Sequence, residues 1–277
     1  MAELRRPPAL THSRADIIAL LEAQGRSPSR ALGQNFVADP NTVRRIARLA
    51  EVTVGDRVIE IGAGLGSLTL ALAETGAEVT AVEVDRHLLP ILREQVEPAG
   101  VRVVEADAME LDWGSVLGDG GGWVLVANLP YNVATPLVLD LLDDVPAIER
   151  MLVMVQLEAG QRLVAEVGDP TYGIPSVKVA YWATAELVGR VPPSVFVPRP
   201  RVESALVRID RRPAPAVDAD PERLFALVRA GFGQRRKMLR RSLAGLVEPE
   251  AFMRAEVRPE ARAEELSIED WGRLAER

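Results

Sequence analysis

Cysteine is absent from this 277-residue chain, which excludes disulfide bonds, thiolate metal sites and cysteine nucleophiles together. Histidine is nearly absent, since only His12 and His87 occur and they lie far apart in the sequence. Because histidine metal sites need several convergent ligands, we expect both to be surface residues and expect no metal site. No run of 18 or more apolar residues occurs, so the sequence also predicts no membrane-spanning segment.

The N-terminal residues lack the features of an export signal. Residues 1–25 include basic side chains, but they have no continuous apolar core and no small-residue cleavage site. We therefore interpret residues 1–30 as a leader arm followed by an amphipathic helix, and we expect a cytoplasmic protein. The length of the chain is sufficient for one sizeable core and a second, smaller domain.

Lysine is scarce, and the positive charge is distributed unevenly. The net charge is −7, and residues 51–150 contain 18 acidic but only five basic residues. Three other segments carry an excess of arginine: residues 1–50, 190–212 and 223–245. The base composition of the genome is the simpler explanation for arginine in place of lysine. The asymmetry nevertheless favours an acidic catalytic body with basic flanks that suit a phosphate-rich partner.

Short apolar segments alternate with segments of helical spacing. We expect strands within residues 56–66, 77–85, 101–111, 123–130 and 150–158. Near-continuous apolar strands that alternate with helices predict a parallel sheet covered on both faces. In such sheets, ligands bind at the carboxyl ends of the strands.

Two later segments differ from this pattern. Residues 185–196 and 201–209 are joined by a proline-rich connection, and we expect them to form an antiparallel edge pair. Residues 211–223 have the composition of a linker, and the chain after them has a mainly helical pattern. The sequence therefore predicts a large domain over residues 1–212 and a small helical domain over residues 213–277.

Glycines follow the first predicted strand. Gly62, Gly64 and Gly66 have G-x-G-x-G spacing after Glu60, whereas the dinucleotide fingerprint is G-x-G-x-x-G. Glycine lets the backbone approach a ligand and opens a helix whose N-terminus favours polar groups. The spacing is typical of the first motif of S-adenosylmethionine-dependent methyltransferases.

The second and third strands end in acids. Glu83 follows Gly62 by 21 residues, and a carboxylate at this point can accept both ribose hydroxyl hydrogens. Asp107 can accept a hydrogen bond from an adenine amine, and Ala108 leaves room beside the ring. Either acid alone is more often a solvated strand end. Together with the glycines, they predict a nucleoside site.

The fourth strand ends in Asn128-Leu129-Pro130-Tyr131, which resembles the signature of methyltransferases that act on amines conjugated to a ring. The side-chain oxygen of Asn128 and the main-chain carbonyl of Leu129 can accept the two N–H bonds of such an amine. Its lone pair is then free to meet a methyl group. Pro130 adds rigidity without a competing donor, and Tyr131 can stack on the base.

Taken together, these motifs resemble the ribosomal RNA adenine N6,N6-dimethyltransferase family over nearly the whole chain. The matching segments are residues 32–40, 60–64, Glu83, 106–108, 128–132, 195–205 and 234–243. The resemblance implies an α/β fold with a Rossmann-like class I methyltransferase sheet, mostly parallel with an antiparallel edge strand, and a small C-terminal helical domain. It also implies S-adenosylmethionine as cofactor.

The resemblance assigns roles to individual residues. The cofactor residues it implies are Asn35, Val37, Gly62, Gly64, Glu83, Asp107, Ala108 and Asn128. The catalytic residues it implies are Asn128, Leu129, Pro130, Tyr131 and Phe196, with Phe196 against the second face of the target adenine. The expected substrate is a pair of adjacent adenines near the 3′ end of small-subunit ribosomal RNA, in an immature subunit.

A basic motif in the C-terminal domain is the expected RNA-binding surface. The residues implied are Arg235, Arg236, Lys237, Arg240 and Arg241. We expect a helix to begin near Gln234, with the cations on one face and Met238, Leu239 and Leu246 packed inward. We expect the protein to act as a monomer.

Three alternatives remain open on the sequence alone. One is the related branch that methylates large-subunit RNA and confers resistance, since the catalytic motif does not specify the subunit. The second is a ribosome-assembly factor whose binding matters more than methylation, although the intact motif at Asn128 favours catalysis. The third, a nicotinamide oxidoreductase, is disfavoured by the glycine spacing.

Overall fold

The structure is a computed structural model that describes residues 11–29 and 32–276. The predicted leader arm over residues 1–10 lies outside the described residues. Within them, the strands are β1 (Phe36–Val37), β2 (Arg57–Ile61), β3 (Glu78–Glu83), β4 (Arg102–Glu105), β5 (Trp123–Asn128), β6 (Ile148–Gln156), β7 (Ala183–Val191), β8 (Phe196–Val197) and β9 (Ser204–Arg211).

The α-helices of the same residues surround these strands in the sequence. They are α1 (Arg14–Ala23), α2 (Pro40–Leu49), α3 (Ser67–Ala73), α4 (Leu89–Val96), α5 (Trp113–Leu117), α6 (Ala134–Asp144), α7 (Leu157–Val164), α8 (Ile174–Trp182), α9 (Pro221–Gly233), α10 (Leu239–Ser242), α11 (Pro249–Arg254) and α12 (Ile268–Ala275). No helix among the described residues is long and apolar enough to cross a membrane.

The main sheet has the order β4-β3-β2-β5-β6-β9-β7. Strands β2, β3, β4, β5 and β6 pair in parallel. After β4 the chain returns to the other side of β2, so the strand order reverses between β2 and β5. Because ligands bind outside the carboxyl ends of the strands at such a reversal, the topology positions a site there.

The predicted mostly parallel α/β sheet is confirmed, and the predicted strands lie within or overlap the observed ones. The two late segments became β7 and β9, which are neighbours at the edge of the sheet. A separate two-stranded sheet pairs β1 with β8 in antiparallel register, so that Val37 lies opposite Phe196.

Local sequence explains where several elements begin. Helix α1 starts at a capping box, in which the Ser13 backbone donates to Asp16 and the Asp16 backbone donates back to the Ser13 hydroxyl. Helix α2 starts with Pro40 in the first turn, and the Asp39 carboxylate accepts from the Thr42 backbone.

The described residues divide into two compact units, one within residues 1–160 and 187–208 and the other within residues 161–186 and 209–277. The second unit therefore includes residues 161–186, which lie within the predicted 1–212 domain. Its core explains this, because Tyr172 and Tyr181 pack with buried residues of the C-terminal helices, including Trp271. The Tyr172 hydroxyl also donates to the carbonyl of Leu266 at 2.9 Å.

The prediction of a helix that begins near Gln234 is wrong. Residues 234–237 form a turn, and α10 begins only at Leu239. The Leu239 N–H donates to the carbonyl of Ala261 at 2.8 Å, so it does not make the bond to residue 235 that a continuous helix requires. Leu239 is buried as expected, but Met238 and Leu246 are exposed.

The two histidines have different environments. His87 is exposed, as expected. The expectation of a surface position for His12 is wrong, because this residue is 6% exposed. Its Nδ1 lies 3.1 Å from the hydroxyl of Ser67, and its Nε2 lies 3.3 Å from Gln95 Oε1. Burial lowers the pKa of His12 below its ordinary value.

Candidate active site

The end of β2 and the end of β5 form the two sides of a cleft. Gly62 follows β2 and Asn128 ends β5, and both line the same cleft, of about 530 Å³. A second cleft of about 760 Å³ shares Gly62 and extends past β3 and β4. These two volumes include open solvent, and the enclosed space is about 70 Å³ in the first cleft and about 230 Å³ in the second, which is below the range of about 300–1,000 Å³ typical of small-molecule sites.

The glycine turn admits no larger side chain at two positions. Gly64 has φ +58°, and a Cβ there would lie 2.9 Å from the ring of Phe36. Gly66 has φ +85°, and a Cβ there would lie 2.6 Å from Val96. The turn can therefore pack this closely only with glycine, and it leaves backbone exposed to the cleft.

Glu83 supports this turn from the end of β3. Its side chain is 5% exposed, and its Oε2 accepts the Gly64 N–H at 2.7 Å while its Oε1 accepts the Asp85 N–H at 2.8 Å. Burial raises the pKa of the Glu83 carboxyl. Each oxygen has a further lone pair, so Glu83 can still accept from a ligand.

Glu60 is a second buried acid beside the cleft, and we assigned it no role from the sequence. It is 2% exposed, and its Oε2 has no hydrogen-bond partner among the described residues. Burial raises the pKa of Glu60 to about 8, and the nearby charge of Glu83 contributes to this rise. The position of Glu60 directly before the glycine motif was the signal in the sequence that could have identified it. The sequence does not reveal that Glu60 is buried.

The second cleft combines apolar walls with one acid. Asp107 and Ala108 line it as expected, together with Met109 and Val84. One oxygen of Asp107 accepts the Met109 N–H at 2.9 Å, which orients the carboxylate. An apolar slot with a single carboxylate suits a purine ring that presents an amine.

The side chain of Asn128 is oriented by the chain across the cleft. Its Nδ2 donates to the main-chain carbonyl of Asn35 at 3.0 Å, so the other end of the amide, Oδ1, remains available as an acceptor. The Leu129 carbonyl has no backbone donor among the described residues, whereas the Pro130 carbonyl accepts from Val133 at 3.1 Å. Two acceptors of consecutive residues, Asn128 Oδ1 and Leu129 O, therefore have no donor in these bonds.

Tyr131 lines the same cleft and is half-buried. Its hydroxyl lies 2.8 Å from the hydroxyl of Ser204, which is fully buried. Burial raises the pKa of Tyr131. The second expected aromatic, Phe196, lies elsewhere: it is 0% exposed and packs in the core, so it does not form part of the cleft surface.

One wall of the cleft comes from residues 32–36. Phe36 in β1 is one of them, whereas Val37 is buried and lines a smaller neighbouring cavity with Glu60. Gln34 was not assigned a role from the sequence, although its Nε2 donates to Asp85 at 2.8 Å. Its place in the 32–40 motif was the signal that would have identified it.

Residues 26–277 match the model of the family described as ribosomal RNA adenine dimethylase. The chain belongs to that family. As a member of the ribosomal RNA adenine dimethylase family, it is an enzyme whose methyl donor is S-adenosylmethionine and whose substrate is ribosomal RNA. The nicotinamide alternative is therefore excluded.

Relatives match over most of their length. The chain is 48% identical to the ribosomal RNA small subunit methyltransferase A of Kineococcus radiotolerans over 273 residues, which cover 95% of this chain and 90% of that one. It is 46% identical to the protein of the same name from Streptomyces coelicolor, with 95% of each chain covered.

Solved structures share the fold. The 23S rRNA methyltransferase ErmE is 28% identical, with a TM-score of 0.70, and the match covers 86% of this chain and 97% of that one. A dimethyladenosine transferase from Plasmodium falciparum is 22% identical, with a TM-score of 0.74 and coverage of 85% and 94%. The class I methyltransferase fold of this family is thereby confirmed.

The two clefts have the features that the donor requires. Gly62 has φ +72°, a conformation that favours glycine, and a Cβ there would lie 3.8 Å from Asn128 O and 4.0 Å from Pro130 Cδ, in ordinary contact with the two atoms. The buried side chain of Glu83 lies beside it, and the apolar slot lies next to Asp107. These groups suit a cation that carries a nucleoside.

Ion pairs separate the five cations of the basic motif into two groups, those with a carboxylate partner and those without one. Arg235 bonds to Glu264, and Arg240 lies 3.2 Å from Glu260. The remaining three cations are exposed, and no carboxylate within the described part of the chain pairs with them: Arg236, Lys237 and Arg241. These three are the cations that stay available to a ligand.

Proposed function

We propose that this enzyme methylates the N6 amines of two adjacent adenines near the 3′ end of small-subunit ribosomal RNA, each of them twice. Support comes from the relatives named ribosomal RNA small subunit methyltransferase A, which are 44–48% identical over nearly the whole chain. The 23S rRNA enzyme is only 28% identical.

A single contact carries the chemical part of this proposal, the bond from Asn128 Nδ2 to Asn35 O at 3.0 Å. Because the amide donor is used there, Asn128 Oδ1 presents an acceptor to the cleft. An adenine N6 amine is a poor nucleophile, since its lone pair is delocalised into the ring. An acceptor at Asn128 and another at Leu129 O favour a pyramidal nitrogen with a directed lone pair.

The other residues of the loop position the base. The half-buried ring of Tyr131 offers a stacking face, and Pro130 limits the movement of the loop. Phe196 is proposed as the second stacking face only if its ring leaves the core when RNA binds. A base must be taken out of its stack to enter such a cleft.

Binding of the donor is proposed at the adjoining groups. Glu83 would accept from the ribose hydroxyls, while Asp107 and Ala108 would hold the adenine. Asn35, Val37 and the glycine turn would enclose the remainder. When bound, S-adenosylmethionine supplies a sulfonium methyl group that transfers to nitrogen as the carbon–sulfur bond breaks. The chain positions the amine for that transfer, and the methylated ammonium is acidic enough to lose its proton to water.

We infer that RNA is held by the exposed cations Arg236, Lys237 and Arg241. A face of exposed cations provides contacts to phosphates that do not depend on the RNA sequence. The net charge of −7 makes these local cations more important for affinity. We also propose that the substrate is an immature small subunit in the cytoplasm and that the enzyme acts as a monomer.

The alternative of a large-subunit RNA substrate has less support. The 23S rRNA methyltransferase ErmE shares the fold, with a TM-score of 0.70, but it is 28% identical, against 48% for the small-subunit relative from Kineococcus radiotolerans. A role mainly in binding, as an assembly factor, is disfavoured by the complete set of acceptors at Asn128 and Leu129.

Transfer of tritiated methyl groups from S-adenosylmethionine tests the proposal. The enzyme should be given immature small subunits, naked small-subunit RNA and large subunits in parallel. Incorporation of about four methyl groups per immature small subunit is expected from two adenines that are each methylated twice. Incorporation only into large subunits would establish the alternative, and no incorporation anywhere would favour the assembly role.

A further inference from the structure

The segment that leads into helix α1 contacts two elements that adjoin the walls of the active-site cleft, strand β8 and the first turn of α3. Arg14 Nη2 donates to two main-chain carbonyls, Ser194 O at 2.8 Å and Phe196 O at 3.0 Å. His12, two residues earlier, bonds to Ser67, the first residue of α3 after the glycine turn. A short segment therefore joins the strand β8 to the glycine turn.

The contact of Arg14 continues to the catalytic amide. The carbonyls that it holds flank Val195, whose own carbonyl accepts the Ala38 N–H at 2.7 Å. Phe196 lies opposite Val37 in the β1/β8 pair. The residue before β1 is Asn35, whose carbonyl accepts the Asn128 side chain.

His12 acts on the other side of the cleft. Gln95 Oε1 is an acceptor, so His12 Nε2 carries the proton, and Nδ1 accepts from the Ser67 hydroxyl. Ser67 lines the small cavity that also contains Glu60. The imidazole thus fixes the first turn of α3 relative to α4.

Apolar packing makes this segment rigid. Ile17 and Leu21 of α1 are buried in one cluster with Phe36 and Leu65. Phe36 forms the cleft wall, and Leu65 lies inside the glycine turn. Helix α1 therefore supports directly the two segments that enclose the cleft.

We propose that Arg14 and His12 are positioning residues, with Arg14 holding the wall that orients Asn128 and His12 holding the turn that binds the methyl donor. The catalytic consequence rests on the proposed function. The structural consequence is independent of the proposed function, because amide hydrogen exchange measures the stability of these hydrogen bonds in the protein without RNA or donor.

The test compares Arg14→Ala and His12→Ala in the full chain. In Arg14→Ala, exchange of the Ala38 amide should accelerate, and kcat for small-subunit RNA should fall about tenfold because a misplaced catalytic group slows the reaction. Affinity for S-adenosylhomocysteine, measured by calorimetry, should stay within about twofold, which is less than one hydrogen bond is worth.

His12→Ala should show the opposite pattern. Exchange of the Leu70 amide, which bonds to Gly66 O at 2.9 Å, should accelerate. Affinity for S-adenosylhomocysteine should fall roughly 2- to 12-fold, as for one lost hydrogen bond. The Ala38 amide should exchange as in the wild type.

Matched variants separate positioning from general stability. Arg93→Ala removes an arginine that pairs with Glu97 on the surface of α4, and it should change none of these values. Arg14→Lys should restore part of kcat, since an ammonium can still donate to the carbonyls. Unchanged Ala38 exchange in Arg14→Ala would overturn the proposal, as would parallel losses of kcat and donor affinity in both variants.

The proposed function can fail separately. If the wild-type enzyme does not methylate small-subunit RNA, that function is wrong, whereas the exchange pattern of Ala38 and Leu70 still decides whether the two residues act as positioning residues.

Discussion

The side-chain amide of Asn128 donates to the main-chain carbonyl of Asn35 across 3.0 Å. The two residues are 93 positions apart in the sequence, so this contact exists only in the folded chain. It determines which end of the amide faces the cleft, and therefore makes Asn128 an acceptor for a substrate amine. The groups proposed to hold the base and the methyl donor are arranged around this contact.

Replacing Asn128 should abolish most turnover while the fold stays intact. In Asn128→Ala we expect a loss of about 100- to 1,000-fold in kcat, comparable to the loss of one group that stabilises a transition state. Donor affinity should fall only modestly. Single-turnover methyl transfer and calorimetry with S-adenosylhomocysteine measure the two effects, and a kcat within about threefold of the wild type would exclude Asn128 from catalysis.

Tyr131→Phe should be mild and Tyr131→Ala severe, because stacking uses the ring. Loss of one stacked base costs about 1–3 kcal/mol, so Tyr131→Ala should lower RNA affinity or turnover roughly 5- to 150-fold. In Tyr131→Phe the buried Ser204 hydroxyl loses its partner, which should reduce stability by about 1–2 kcal/mol.

Ser204→Ala is the matched control for that hydroxyl pair. It should lower stability as Tyr131→Phe does, and the double variant should recover much of the loss because both partners are then apolar. Equal damage to turnover in the Phe and Ala variants of Tyr131 would contradict the stacking role.

Glu83→Ala should weaken binding of S-adenosylmethionine by about 2–4 kcal/mol, as expected for two lost charge-assisted hydrogen bonds. The Gly64 N–H also loses its acceptor in this variant. Glu105→Ala is a suitable control, since Glu105 lies opposite Glu83 in the sheet but is exposed and outside both clefts. Unchanged affinity in a folded Glu83→Ala variant would remove this residue from the donor site.

Glu60 should make stability depend on pH. Its folded-state pKa is about 8, above the ordinary value of 4.5, so between these values the folded state binds more protons than the unfolded state. Stability that Glu60 contributes is then fully present below pH 4.5 and is lost as pH rises through about 8. The slope from one such group is at most about 1.4 kcal/mol per pH unit.

Glu60→Gln removes this dependence without changing the size of the side chain. Urea unfolding should give the variant an advantage over the wild type that grows from about pH 5 towards about pH 8, the interval between the two pKa values. Parallel stability curves for the two proteins over that range would show that Glu60 is not protonated in the folded state.

Much of the fold was predictable because its signals are local. The apolar strands follow from hydrophobic patterning, and the strand-end residues Glu83 and Asp107 follow from the parallel topology. The family motifs also lie at turns and strand ends. The sequence alone therefore identifies Gly62 and Asn128 as candidate site residues.

The parts that were wrong depend on contacts distant in sequence. No local pattern indicates that the Leu239 N–H bonds to Ala261 and so prevents a helix from Gln234. Burial of His12 likewise requires Ser67, which is 55 residues away. The role of Phe196 stays a prediction, but only packing reveals that its ring is enclosed in the core.

The exposed cations of the C-terminal unit should account for much of the salt dependence of RNA binding. Arg236 and Arg241 have no carboxylate partner among the described residues, whereas Arg235 and Arg240 pair with Glu264 and Glu260. Replacing the first two by alanine should flatten log K against log salt by roughly 1.4–1.8 units, at about 0.7–0.9 per phosphate contact. The matched double variant of Arg235 and Arg240 removes the same charge but should flatten the slope less, since those cations are already partly neutralised. Filter binding from about 50 to 200 mM salt measures both slopes. Equal slopes for the Arg236/Arg241 variant and the wild type would show that this face does not contact RNA.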